Sequence, residues 1–126
     1  MRHVLVSSVA LLVTVALAAP MRAEVTIVKG EIVDLACSLS KGDGGKGDNH
    51  AACAMTCARN GDPMALLTDD AVYLIEGSYA AEKNAKLLDF VAKKVEAKGT
   101  ITERDGKKYF NIAAMMETAK RGLEMY

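Results

Sequence analysis

Apolar residues gather along this chain in short runs separated by glycine, proline, asparagine and aspartate, a pattern of short strands rather than long amphipathic helices. The first run spans residues 25–35, where Val25, Ile27, Val28, Ile32, Val33 and Leu35 predict a long strand ending at Cys37, with Gly30 marking a bulge or bend. Residues 40–49 hold too many glycines for regular structure and predict a flexible loop. Asp48 or Asn49 can cap a helix, Ala51, Ala52, Ala54 and Ala58 favour one, and Asn60-Gly61-Asp62-Pro63 stops it, which predicts a helix over residues 50–59. Residues 64–67 and 71–75 then form a buried hairpin around Thr68-Asp69-Asp70, in which the paired aspartates are turn formers rather than a catalytic pair. Ser78 caps a second predicted helix over residues 79–91, with Leu87, Leu88 and Val91 on one face.

The last hairpin has a register that can be written out. Asp105-Gly106 is a favoured two-residue turn, and pairing across it sets Ile101 opposite Phe110, Gly99 opposite Ile112, Ala97 opposite Ala114 and Val95 opposite Met116. Those pairs are apolar or small, while Thr102 with Tyr109 and Thr100 with Asn111 fall on the other face, as in half-buried antiparallel strands. Strand, inserted helix, two strands, helix, two strands is the order of a five-stranded OB-like barrel. The fold expected is therefore mainly β (α+β), with a Cys/His-bearing helix inserted after the first strand and a second helix between strands three and four.

The N-terminus reads differently. Met1-Arg2-His3 precedes an apolar stretch over residues 4–19 that ends in the small residues Ala16-Leu17-Ala18, the plan of a cleavable secretory signal cut after Ala18 or near Ala23. The stretch is shorter than the ~20 residues of a spanning helix. Residues 1–23 are thus expected to be the signal, 24–117 one domain and 118–126 a C-terminal tail, in a periplasmic or secreted protein without stable membrane insertion after cleavage. The full 126 residues carry 16 basic and 16 acidic side chains; Arg2 and Arg22 fall in the signal, so the mature domain is slightly acidic. That balance, with no Trp and only two Phe, argues against nucleic acid as a partner.

Chemistry concentrates in four residues. His50, Cys53 and Cys57 fall within about 60° on one helix face at ~100° per residue, and Cys37, across the glycine loop, can complete a set of four. Thiolates with an imidazole suit Zn2+ and hold Cu+ well. Asp34 is a candidate partner for the histidine. The spacing is neither that of a zinc finger nor that of a haem attachment site, since Ala58 follows Cys57. The glycine loop lacks the ending of a phosphate-binding loop and the spacing of an EF-hand. Met115, Met116 and Met125 suit packing better than copper binding.

Two other readings use the same residues. Exported proteins commonly oxidise their cysteines, so Cys37 could bond Cys53 or Cys57 and staple an OB-like module that binds a protein or small ligand. A thiol redox protein would instead need one strongly acidic thiol among the three. Hydrolytic catalysis has little to work with, because His50 is the sole histidine of the mature domain. The expectation is a metal-binding protein rather than an enzyme.

Three stretches, residues 30–37, 50–57 and 61–70, contain Asp34-x-x-Cys37 and His50-x-x-Cys53-x-x-x-Cys57, and over residues 25–112 the chain resembles a group of small exported bacterial proteins with OB-like folds. The resemblance implies that the Cys and His positions act together and implies no particular activity. Ala71 stands where the resemblance would place a glycine.

Overall fold

The computed structural model describes residues 24–118. Residues 1–23, expected to be a signal, and residues 119–126 of the expected tail lie outside the described residues.

Five strands form: β1 (Val25–Asp34), β2 (Met64–Leu67), β3 (Val72–Glu76), β4 (Lys94–Arg104) and β5 (Lys107–Glu117). They are hydrogen-bonded in the order β1-β2-β3-β5-β4 and close on themselves where β4 pairs with β1. Neighbours run antiparallel except β3 and β5, which are parallel. The result is a mixed α+β chain whose five-stranded sheet closes into a ring. Closure leaves no open sheet edge.

β1 changes partners along its length. Val25–Glu31 pair with β4 and Glu31–Asp34 with β2, so the strand bends where it passes between two neighbours, next to Gly30. Of the bulge or bend expected at Gly30, the register with β2 and β4 shows no bulge; a register irregularity lies between β4 and β5 at Lys98/Gly99. Near the Asp105-Gly106 turn, where both residues have positive φ as a two-residue hairpin requires, the expected pairs Ile101↔Phe110, Thr100↔Asn111 and Gly99↔Ile112 form. Beyond them Ala113 is an extra residue on β5, so Lys98 faces Ala114, Ala97 faces Met115 and Val95 faces Glu117. The expected pairs Ala97–Ala114 and Val95–Met116 are therefore displaced by one. A single inserted residue turns the following side chains over: Ala114 and Met116 are exposed, while Met115 packs on the core.

β4 and β5 approach closely beside the bulge. A Cβ on Gly99 would collide with the Asn111 carbonyl. Gly99→Ala should cost about 1–3 kcal/mol through the forced strand shift. Urea unfolding measures it, and a change below about 0.5 kcal/mol, typical of a neutral surface site, would refute the close-packing account.

Helix α1 (Leu35–Lys41) and helix α2 (Ala51–Asn60) are inserted between β1 and β2. The apolar pattern did not anticipate α1: the strand stops at Asp34, and Cys37 lies in the first helical turn. Asp34 is the cause, since its carboxylate accepts from the Cys37 backbone N–H at 3.0 Å and caps the helix. The glycine loop is more ordered than its composition suggests, with 3-10 turns at Gly42–Gly45 and Asp48–His50. Helix α2 begins without a side-chain cap from Asp48 or Asn49 and ends as expected, with Gly61 in the left-handed region and its N–H on the carbonyls of Ala58 and Cys57.

The hairpin of β2 and β3 turns through Thr68, whose Oγ1 accepts from the N–H groups of Asp70 and Ala71. Ala71 is not among the left-handed residues, so this turn needs no glycine.

The second predicted helix is broken into a 3-10 turn at Gly77–Tyr79, α3 (Ala81–Asn84) and a 3-10 segment at Ala85–Phe90. Glu82, Lys83 and Asn84 all have positive φ, between 53° and 59°, which a continuous right-handed helix excludes. The apolar face nevertheless lands as expected, with Leu87 and Val91 buried and Leu88 half-buried.

The core lies inside the ring. Ile32, Leu66, Ile75, Val95, Ala97, Phe110 and Ile112 supply its strand side chains, and Ala54 and Ala58 of α2 close over it beside Leu87 and Val91. Among the described residues no helix is long and apolar enough to cross a membrane.

Candidate metal centre

Helix α2 has two adjacent stripes. Ala54 and Ala58, four apart, are fully buried against the core, and their small side chains let the helix approach closely. Cys53 and Cys57 form the neighbouring stripe. Packing of the alanines therefore fixes where the two sulfurs point.

Cys37 is carried by α1, which Asp34 anchors to the end of β1, while the Leu35 N–H donates to the Pro63 carbonyl at 3.1 Å and ties the start of α1 to the segment following α2. His50 is held through the loop: Glu31 of β1 accepts from the Gly47 N–H at 2.8 Å, and the Gly47 carbonyl accepts from the His50 N–H at 3.1 Å. Gly45 lets the loop lie against α1, since a Cβ there would strike the Cys37 carbonyl.

These supports bring together a sulfur of Cys37, an imidazole nitrogen of His50 and a sulfur of Cys53, all within 4.8 Å of one another. Two donors bound tetrahedrally to one Zn2+ at about 2.0–2.3 Å each lie about 3.3–3.8 Å apart, so the trio would have to draw in by at most about 1–1.5 Å to share a single ion. Burial grades across it: His50 is 5 % exposed, Cys37 half-buried and Cys53 exposed. The His50 Nε2 is also the one fully buried side-chain polar atom among the described residues with no hydrogen-bond partner. An orphaned buried nitrogen costs about 1–3 kcal/mol unless something satisfies it.

Cys57, the fourth residue expected at the centre, is half-buried and falls outside the 4.8 Å group. Asp34 does not pair with His50; it serves Cys37, by capping α1 and by standing as an acceptor beside the thiol. That carboxylate, with burial as a second cause, pushes the Cys37 thiol from 9.0 up to about 11. The Cys57 thiol is also raised, first by burial and then by the charges of Asp34, Cys53 and Asp62. Both shifts favour the protonated thiol, the reverse of what a nucleophilic redox cysteine needs. Metal binding must therefore displace protons here.

The Cys37 shift has a definite sign. The folded state holds the proton more tightly than the unfolded chain, so the contribution is complete below pH 9 and is lost as pH rises toward about 11. Metal-free wild type should lose stability across that window relative to Cys37→Ser. Urea midpoints of the two proteins through the same pH range provide the check, and parallel curves would exclude the Asp34–thiol interaction.

Sequence reasoning overlooked Glu31 and Gly45 as supports. Only Asp34-x-x-Cys37 carried a readable signal, that of an N-cap residue ahead of a first turn.

Compared with protein-family models, curated proteins and solved structures, the chain matches none.

Proposed function

We propose that this chain is an exported, periplasmic or secreted, OB-like domain that binds one soft metal ion, Zn2+ or Cu+, through Cys37, His50 and Cys53, with Cys57, one turn after Cys53, as a further candidate sulfur. The role is structural or metal-handling rather than catalytic. The observation that carries the reading is the convergence of three soft donors from two separate stretches of chain, one of them a buried imidazole with an unpartnered nitrogen. The strand order β1-β2-β3-β5-β4 with its single parallel pair supports the OB-like assignment.

Anaerobic purification without a polyhistidine tag, followed by metal analysis and thiol counting, tests the reading. About one Zn or Cu per chain is expected, consistent with a closed set of soft ligands. Absence of metal together with the loss of two thiols to one intramolecular disulfide would replace it with the stapled binding module, for which the Cys37 and Cys53 sulfurs are near enough after a small adjustment.

A further inference from the structure

We propose that the centre is a three-donor site for Cu(I), made by Cys37, His50 and Cys53, and that Cys57 remains outside it. This rests on the metal-binding reading above and goes further by choosing the ion and excluding a ligand.

The choice follows from donor number. Zn2+ in a structural site is closed by four protein donors in a tetrahedron. Cu(I) is a closed-shell monovalent ion that is satisfied by two or three soft donors, and thiolate is among those it prefers. Two sulfurs and one nitrogen converge here. Although Cys57 lies one turn after Cys53, its sulfur is not in the group. A zinc ion would have to draw Cys57 into the group or keep a water in the fourth position.

Charge pulls the other way. Two thiolates with Cu(I) leave one net negative charge, close to Asp34 and opposed by Lys41, whereas Zn2+ would neutralise the pair. The exposed Cys53 side opens the centre to solvent and counterions, which screen that excess. A zinc ion held by the three donors would need a water from that open edge as its fourth ligand, whereas the three soft donors by themselves complete Cu(I). Donor number therefore decides over charge.

The same grading gives the site a direction. His50 closes the inner side and Cys53 faces out, so a bound ion is reached from solvent at the Cys53 edge.

The test uses the untagged protein under anaerobic, reducing conditions, titrated with Cu(I) against bicinchoninate and with Zn2+ against a chromophoric chelator. Wild type should bind one Cu(I), and X-ray absorption should count two sulfurs and one nitrogen around it. Cys57→Ser should bind Cu(I) within about threefold of wild type, whereas Cys53→Ser should weaken it at least ~100-fold, the difference between a bystander and a ligand. A Zn2+ ion with four protein donors, a third sulfur in the absorption spectrum, or a loss of about tenfold or more in Cys57→Ser overturns this inference and leaves the soft-metal reading standing. Binding of neither ion overturns that reading itself. The absorption count is made on wild type and so does not depend on any variant folding.

Discussion

Saturation with the cognate ion should raise the melting temperature by roughly 15–30 °C, and either Cys37→Ser or His50→Ala should abolish the rise. A ligand at a thousand times its dissociation constant, binding only the folded state, stabilises by about 4 kcal/mol. Each kcal/mol moves the midpoint of a domain of about a hundred residues by roughly 4–8 °C. The effect should be this large because the donors come from different elements: Cys37 rides on α1, His50 ends the loop and Cys53 belongs to α2. An ion held by all three staples α1, the end of the loop and the start of α2 to one another, so these elements cannot separate without releasing it. The metal-free background differs among the three positions. Cys53 is exposed, so Cys53→Ser with a chelator present should melt close to wild type, while metal no longer raises its midpoint. Thermal unfolding by circular dichroism, with and without metal under anaerobic conditions, measures all four proteins. Equal metal-induced rises in wild type and Cys37→Ser would rule out the shared centre.

Asn84→Ala should cost roughly 2–4 kcal/mol, a large effect for a residue remote from the centre. Asn84 is buried, and its side-chain amide donates to the carbonyls of Ala58 at 3.0 Å and Asp62 at 2.9 Å. Ala58 keeps a second donor, the Gly61 N–H at 3.0 Å, so the heavier loss falls on Asp62. Asn84 also sits at φ 59°, a conformation that asparagine tolerates and alanine resists by roughly 1–2 kcal/mol. The two contributions can be separated. Asn84→Gly loses the hydrogen bonds but accepts the backbone, and should be about 1 kcal/mol more stable than Asn84→Ala. Urea midpoints with an unchanged denaturant slope provide the measurement. A cost in Asn84→Ala below about 0.5 kcal/mol would mean that the tie between α3 and the end of α2 contributes nothing.

Both results depend on features that the one-dimensional pattern conveys unevenly. The Asp105-Gly106 turn and the pairs nearest it could be read directly, because a two-residue turn imposes register by local geometry. The register beyond Gly99 could not, since the bulge at Ala113 sits beside a close approach of Gly99 to a carbonyl on the neighbouring strand, a contact between strands that no turn geometry encodes. Helix α2 was legible at both ends within a residue or so, because alanine propensity and a Gly-Asp-Pro stop act locally. Helix α1 was hidden by an apolar run that continues through Leu35, although Asp34 carried the cap that stops the strand. The break at Glu82–Asn84 had no signal in a stretch composed like a helix; it exists where Asn84 reaches across to α2.

The chain's local chemistry alone therefore determined the Asp105-Gly106 turn and the helix stop at Gly61. Each of these depends on residues within about one or two turns of each other, where backbone geometry leaves few choices. Tertiary structure decided which sulfur reaches the imidazole. Cys37 comes within reach because Asp34 starts α1, Gly45 lets the loop lie against it and Glu31 holds Gly47, whereas Cys57, on the predicted face, lies outside the trio. Convergence across a loop depends on contacts between segments distant in sequence, and no periodicity within one segment encodes them.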